Sequence, residues 1–227
     1  MIMRDQGKGF VEFGEASVQN YQPTDKSVET EIIDSMKAVI NSLKPDAVVI
    51  LDQLDQEDCG VITKEVRNAI AVMKEKHPEI MFYMDSRQFI NSIDSTVIRK
   101  CNNIEFERAY NVPASKLSTS ATILSNDIPF IVTMGVAGTA IALNGNVNII
   151  PSVMIDGDVD TRGAGDAFTA GYITARLCEV DELSSVELGN YSAACCVSQI
   201  ASTGHTTFEH IRQMVIHNGK KAIQNEI

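Results

Sequence analysis

No stretch of this sequence reaches the roughly 18 uninterrupted apolar residues that a membrane-spanning helix needs, although 44% of its 227 residues are hydrophobic. The opening MIMRDQGKGF lacks the basic region and long apolar run of a signal peptide. Both absences argue against a membrane partner and predict a cytoplasmic protein. Basic residues are also scarce: 19 Lys plus Arg stand against 30 Asp plus Glu, a formal net charge of −11. That argues against nucleic acid as a partner, because phosphate-backbone binding rests on clustered basic side chains. A small phosphate ligand stays compatible, since it needs only a local pocket of backbone N–H groups. The five cysteines contain no CxxC pair, and their number is odd. Cys59, Cys101, Cys178, Cys195 and Cys196 therefore read as reduced, mostly buried thiols.

Internal repeats, low-complexity tracts and linker-like stretches are absent too, so the length fits one domain with a full-sized core. What the chain does have is alternation. FVEFGEASV has period-2 character; a helical run then goes from Thr24 to about Leu43, and DAVVILD (46–52) is a short apolar strand. Thr63 is placed to cap the helix TKEVRNAIAVMKEKH, which Pro78 stops. IMFYMD (80–85) and STVIRKCN (95–102) read as strands, with helical segments to about Asn126. PFIVTMG (129–135), TAIAL and VNII read as strands, followed by helices over 164–179, 182–201 and about 207–218. Apolar strands alternating with amphipathic helices predict a mostly parallel sheet covered on both faces. Ligands of such sheets gather at the carboxyl ends of strands. Here those ends carry Asp52, Asp85-Ser86-Arg87, Lys100-Cys101-Asn102 and Thr133-Met134-Gly135, which predicts one shared rim.

DTRGAGDAF (160–168) is the densest candidate for chemistry. It is not a P-loop, since GxxxxGK[ST] occurs nowhere, and it is not a dinucleotide fingerprint, since Phe168 sits where the third glycine belongs. Asp156, Asp158 and Asp160 alternate as in a calcium loop, but Thr161 and Ala167 occupy the positions that need Gly and Glu. Two readings remain. Gly163, Ala164 and Gly165 can point N–H groups at an anion from the positive end of a helix dipole. Asp166 beside such a nest suits a base that takes a proton from an attacking hydroxyl. The other reading is an ordinary helix cap with an acid in its first turn.

DTRGAGDAFTAGY resembles the D-T-x-[GA]-A-G-D signature of the ribokinase-type (PfkB) carbohydrate kinases. KCNNIEFE is similar to that family's K-P-N-x-x-E segment, with Cys101 in place of the proline. VTMGVAGTAI resembles its strand-turn-strand beside the nucleotide, and NYSAACCVSQIASTG its alanine-rich helix and glycine loop. DAVVILDQLDQEDCGVIT and MDSR fit the sugar-kinase branch more loosely. The resemblance implies a ribokinase-like α/β fold and ATP-dependent phosphorylation of a hydroxyl on a small sugar-like substrate. It implies Asp166 as general base and the N–H groups of Gly163, Ala164 and Gly165 as the anion hole. Asn102 and Glu105 would organise Mg²⁺, Lys100 would contact a phosphate oxygen, and Thr133, Gly135 and Gly138 would line the nucleotide. Asp160 and Thr161, with the loop before Gly204, correspond to where members hold a monovalent cation such as K⁺, and Arg162 sets a fixed positive charge beside that place.

Several of these residues also have plainer readings: Asn102 and Glu105 as a helix start, Lys100, Asp85 and Arg87 as strand-end residues, Cys195-Cys196 as core. His205, His210 and His217 show no metal-ligand spacing. The resemblance stops before Lys26, where members carry strands with substrate-binding Asp or Asn and a Gly-Gly segment. Residues 1–22 are expected to be a remnant of the family's lid, a small sheet that can mediate a homodimer. Residues 23–227 are expected to form the nucleotide-binding and catalytic domain. The whole corresponds to the carboxyl-terminal two-thirds of such a kinase, lacking its N-terminal strands, so that nucleotide binding without independent kinase activity is the alternative.

Overall fold

The computed structural model describes residues 2–5, 10–14, 21–119, 127–200 and 204–225. β1 (Ile2–Asp5) and β2 (Phe10–Gly14) pair antiparallel as a two-stranded ribbon. Six further strands form one sheet: β3 (Ala47–Asp52), β4 (Met81–Ser86), β5 (Ile98–Asn102), β6 (Phe130–Thr133), β7 (Thr139–Leu143) and β8 (Asn146–Ile150), in that spatial order. β3 through β6 run parallel, while β6–β7 and β7–β8 are antiparallel. The sheet is therefore mixed. The antiparallel end closes through Asn144-Gly145, both at positive φ, which is the chemistry a two-residue hairpin turn requires.

Strand pleating sorts the side chains between two cores. Ile50, Phe82, Met84, Cys101, Phe130 and Val132 point to one face, where Ile40 of α1 (Lys26–Leu43), Val66, Ile70 and Met73 of α2 (Lys64–Lys76) and Phe106 of α3 (Asn103–Tyr110) cover them. Tyr83, Ile131 and Ile141 point to the other, beneath Phe168, Tyr172 and Ile173 of α4 (Ala164–Leu177) and Val186 of α5 (Glu182–Val197). α6 (Phe208–Asn225) follows. α4 is also tied to the sheet by a hydrogen bond between the buried Tyr83 hydroxyl and Thr169 Oγ1, 3.2 Å.

The sequence expectations hold in outline. Thr63 Oγ1 accepts from the N–H of Val66 at 3.3 Å, and α2 ends at Lys76, two residues before Pro78. β6 is shorter than expected, because Gly135–Ala137 turns as a 3-10 segment with Gly135 at φ +58°. Helix after β5 ends at Tyr110, with a 3-10 turn over Ala114–Thr119; the expected helix over 120–126 lies outside the described residues. The helix expected over 182–201 ends earlier, at Val197, with Ser198 as its C-cap and turn at 198–200, while residue 201 and the part of the glycine loop at 201–203 lie outside the described residues. Among the described residues no helix is long and apolar enough to cross a membrane. Cys59, Cys101, Cys195 and Cys196 are buried and Cys178 is exposed, all as free thiols.

Candidate active site

The parallel register brings the strand ends level. Asp52 lies opposite Ser86, Asp85 opposite Lys100, and Asn102 opposite Thr133. Pleating then divides this rim. Asp52 and Ser86 share the face of Ile50 and Met84, while Asp85, Lys100, Asn102 and Thr133 share the face of Tyr83 and Ile131, which α4 covers. On the first face Ser86 Oγ donates to Asp52 Oδ2 at 2.8 Å. Burial holds the Asp52 carboxyl above the ordinary aspartate range, against the opposing pull of Ser86 and the Arg67 charge.

On the second face Lys100 Nζ lies 2.6 Å from Asp85 Oδ2, with side-chain exposures of 5% and 10%. A buried lysine must be paired, because taking two charges from water is tolerable only with close mutual contact. Next to it, Asn102 and Glu105 form a capping box: Asn102 Oδ1 accepts from the Glu105 N–H at 2.9 Å and Glu105 Oε2 accepts from the Asn102 N–H at 2.7 Å. The helix-start reading of this pair is thus real. It uses one oxygen of each side chain, and the second carboxylate oxygen of Glu105 lies outside the box. Burial raises the Glu105 carboxyl, Asp85 adds to the rise, and the Asn102 N–H, Lys100 and Arg87 oppose it. A half-buried carboxylate in that state fits a cation held partly by phosphates and water, as Mg²⁺ commonly is.

Above Lys100 sits the start of α4. Gly163 takes the N-cap position at φ +76°, ψ −1°, a left-handed conformation that costs L-residues energy. Its carbonyl receives the Ala167 N–H at 2.9 Å, while the Ala164 N–H turns back to the Thr161 carbonyl at 3.2 Å. The N–H groups of Gly165 and Asp166 fall in the first turn, where helix geometry supplies no acceptor. Gly165 has a second reason to be glycine: a Cβ there would stand 3.0 Å from Lys100 Nζ. The Lys100 ammonium thus lies beside the first turn of α4, whose leading N–H groups have no helical acceptor. Asp166 is exposed one residue further on. It lines a cavity of about 500 Å³ with Gly163, Ala170, Ser192, Gly204 and Phe208.

The remaining expected residues lie at the end of β6 and on flanking loops. Thr133 Oγ1 donates to the Cys101 carbonyl at 3.5 Å, and Gly138, at φ +94°, packs so close to the Ile150 carbonyl that a Cβ would come within 2.2 Å. Asp160 and Thr161 precede α4, with the Asp160 N–H bonded to the Val197 carbonyl at 2.9 Å. The Arg162 guanidinium grips the Asp160 carboxylate, Nε to Oδ1 at 2.7 Å and Nη2 to Oδ2. Cys101, standing where the family motif has proline, is fully buried in the sheet core. His205 and His210 face each other at 5.6 Å between ring centroids. Among the described residues no three His, Cys, Asp or Glu side chains are grouped to hold a metal.

Two residues gain roles the sequence left open or missed. Asp85 was legible as a strand end, but its partner is 15 positions away and only strand register joins them. Asn190, buried within α5, accepts from Thr139 Oγ1 at 2.7 Å and donates to the Pro151 carbonyl at 3.0 Å. An amide inside the small-residue run GNYSAACC was the available signal.

The sequence profile of the pfkB family carbohydrate kinases matches residues 14–207. Among curated proteins, the chain is similar to the bifunctional protein HldE of Campylobacter jejuni, 27% identical over 206 residues, covering 88% of this chain and 42% of that protein. Among solved structures it is similar in fold to phosphofructokinase-2 of Escherichia coli in complex with potassium, with TM-score 0.67 at 14% identity, covering 86% of this chain and 63% of the other. It is also similar to ribokinase of Arabidopsis thaliana complexed with ribose and ATP, with TM-score 0.58 at 15% identity, covering 85% and 59%. The chain thus spans less than two thirds of the length of each of these relatives.

Proposed function

The chain belongs to the pfkB family of carbohydrate kinases, and from that membership we propose that it transfers a phosphoryl group from ATP to a hydroxyl of a small sugar or sugar-like substrate. One observation carries the proposal: the Lys100 ammonium is held against the glycine start of α4, one residue before an exposed carboxylate. Bound Mg-ATP would supply the electrophilic phosphoryl group. The chain's own part is positioning and charge. Asp166 accepts the proton of the attacking hydroxyl. Of the expected 163–165 anion hole the Ala164 N–H is bonded to the Thr161 carbonyl, so the N–H groups of Gly165 and Asp166 stabilise charge on the transferring oxygens. Lys100, steadied by Asp85, meets a phosphate oxygen as a point charge. Glu105 would hold Mg²⁺ through the carboxylate oxygen outside the capping box, Asn102, whose single side-chain oxygen caps the helix, would offer its amide N–H groups to a phosphate or water beside the ion, and Thr133, Gly135 and Gly138 would line the nucleotide. The Arabidopsis relative binds ribose and ATP, which supports a substrate of about that size. The two-stranded ribbon of β1 and β2 is the candidate lid and the candidate dimer element.

The monovalent cation does not fit in the same way. The Asp160 carboxylate that would face it is engaged by Arg162, and no step is assigned to such an ion.

A second reading is nucleotide binding without phosphoryl transfer by this chain alone. It is favoured by β3, an edge strand whose Val49 and Leu51 are 45% and 44% exposed. They lie on the α4 side of the sheet, where substrate would need cover. The test is titration of Mg-ATP by calorimetry together with an ATP-consumption screen over sugars and nucleosides. Binding with turnover abolished by Asp166→Asn supports the kinase, binding without turnover supports the second reading, and no binding overturns both.

A further inference from the structure

Arg162 stands in the phosphate-loop segment as a permanent cation. Its backbone N–H donates to Asp160 Oδ1 at 3.2 Å, its Nε to the same oxygen at 2.7 Å, and its Nη2 to Oδ2. The pair is largely buried, with 12% exposure for the Asp160 side chain and 26% for Arg162. A planar fork on a planar carboxylate is the arrangement for which guanidinium is better suited than any spherical ion. Both carboxylate oxygens are thereby used.

Two carbonyls beside this pair share one thiol donor. Cys196 Sγ lies 3.6 Å from the Arg162 carbonyl and 3.6 Å from the Gly204 carbonyl, bridging the loop before α4 and the loop before α6. The thiol is buried, and burial pushes its pKa up, so it stays a neutral donor. Gly204 is packed against the end of α5, where a Cβ would meet the Cys196 carbonyl at 2.4 Å. The Asp160 N–H bonds the Val197 carbonyl at the same helix end. A free ion approaching Asp160 would meet a guanidinium at contact distance in a half-buried setting, where like charges repel strongly.

We infer that Arg162 replaces a dissociable monovalent cation, so that the loop leading into α4 is held in its anion-binding shape without potassium. Arg162 is a positioning residue here: it acts on the Gly163–Gly165 backbone through Asp160 and touches no reacting atom. The inference uses the kinase reading only to say where a cation would belong, and its test is therefore read without nucleotide or turnover. The melting temperature of the wild-type chain, compared in potassium chloride and choline chloride at equal ionic strength, should not differ between the salts. Arg162→Ala and Arg162→Gln, which keeps the aliphatic stem and an N–H at the Nε position without the charge, should both melt lower in choline. Potassium should then restore part of the loss, by about 2–4 °C for each kcal/mol recovered, and guanidinium ion at low concentration should do the same for Arg162→Ala. If Arg162→Ala does not fold, Arg162→Gln is read in the same way. Potassium stabilisation of the wild-type chain would overturn the inference, as would variants that melt like wild type or gain nothing from potassium. Absence of ATP turnover by the wild-type chain, with these melting results intact, would count against the kinase reading alone.

Discussion

Lys100 and Asp85 occupy directly paired positions on adjacent parallel strands, and their side chains meet at 2.6 Å beneath the first turn of α4. This contact links the sheet to the glycine start of α4, because Lys100 Nζ also stands 3.0 Å from the place of a Cβ on Gly165. Removing either partner leaves a buried charge alone, which typically costs about 3–5 kcal/mol, whereas replacing both by apolar groups is often neutral. Asp85→Asn and Lys100→Met should each lower the melting temperature, and Lys100→Met with Asp85→Leu should recover most of that loss. ATP turnover should not recover in the double variant. Turnover restored along with stability would show that the pair is structural only.

Gly163 and Gly165 are glycines for different reasons, and alanine at each should separate stability from function. At Gly163 the left-handed backbone makes Ala cost roughly 1–2 kcal/mol. At Gly165 the backbone is helical, so Ala should be neutral or stabilising by up to about 1 kcal/mol. Its methyl group nevertheless presses on the Lys100 ammonium. The gain in helix propensity and the pressure on the buried Lys100–Asp85 pair oppose each other, so Gly165→Ala should melt above Gly163→Ala while binding Mg-ATP more weakly than wild type, measured by calorimetry on the same preparation.

Glu105 serves both a helix cap and the candidate Mg²⁺ position. Gln preserves the cap, since the capping box accepts either residue, but removes the charge. Glu105→Gln should keep its melting temperature and need a higher Mg²⁺ concentration for half-maximal turnover. An unchanged Mg²⁺ dependence would leave Glu105 as a cap alone.

Asp52 predicts a pH effect of definite sign. Burial raises its folded-state carboxyl pKa above the unfolded value, so the folded chain binds the proton more tightly across that interval. The stability this provides is fully present below the unfolded pKa and is lost as pH rises through the folded one. Asp52→Asn keeps an oxygen for Ser86 Oγ and removes the charge. Urea unfolding should find the variant equal to wild type at the acid end of the interval and more stable at neutral pH, with a flatter dependence between.

Much of this arrangement is legible in the residues themselves. Short apolar runs located β3 and β4, helical spacing located α2 and α4, and the turn chemistry of Thr63 and Pro78 bounded α2 to within two residues. These are local signals, decided by neighbours in the chain. The shared rim was also foreseeable, because parallel strands present their carboxyl ends together. The pairings across it were not. Whether Asp85 meets Lys100 or Asp52 depends on register and pleat, which no local pattern encodes. Arg162 was visible as a charge beside Asp160, yet its grip on both carboxylate oxygens depends on the loop geometry. Asn102 and Glu105 show the opposite difficulty: one spacing served a capping box and a candidate metal position at once.

The role of Asp166 is the central claim, and one comparison tests it most directly: wild type and Asp166→Asn, assayed for Mg-ATP binding by calorimetry and for ATP-dependent phosphorylation of a substrate found in the sugar and nucleoside screen. With Asp166 as general base, the variant should bind Mg-ATP as wild type does while kcat falls by about 10²–10⁴-fold. A variant that phosphorylates at the wild-type rate would contradict the account and leave the glycine segment as a helix cap.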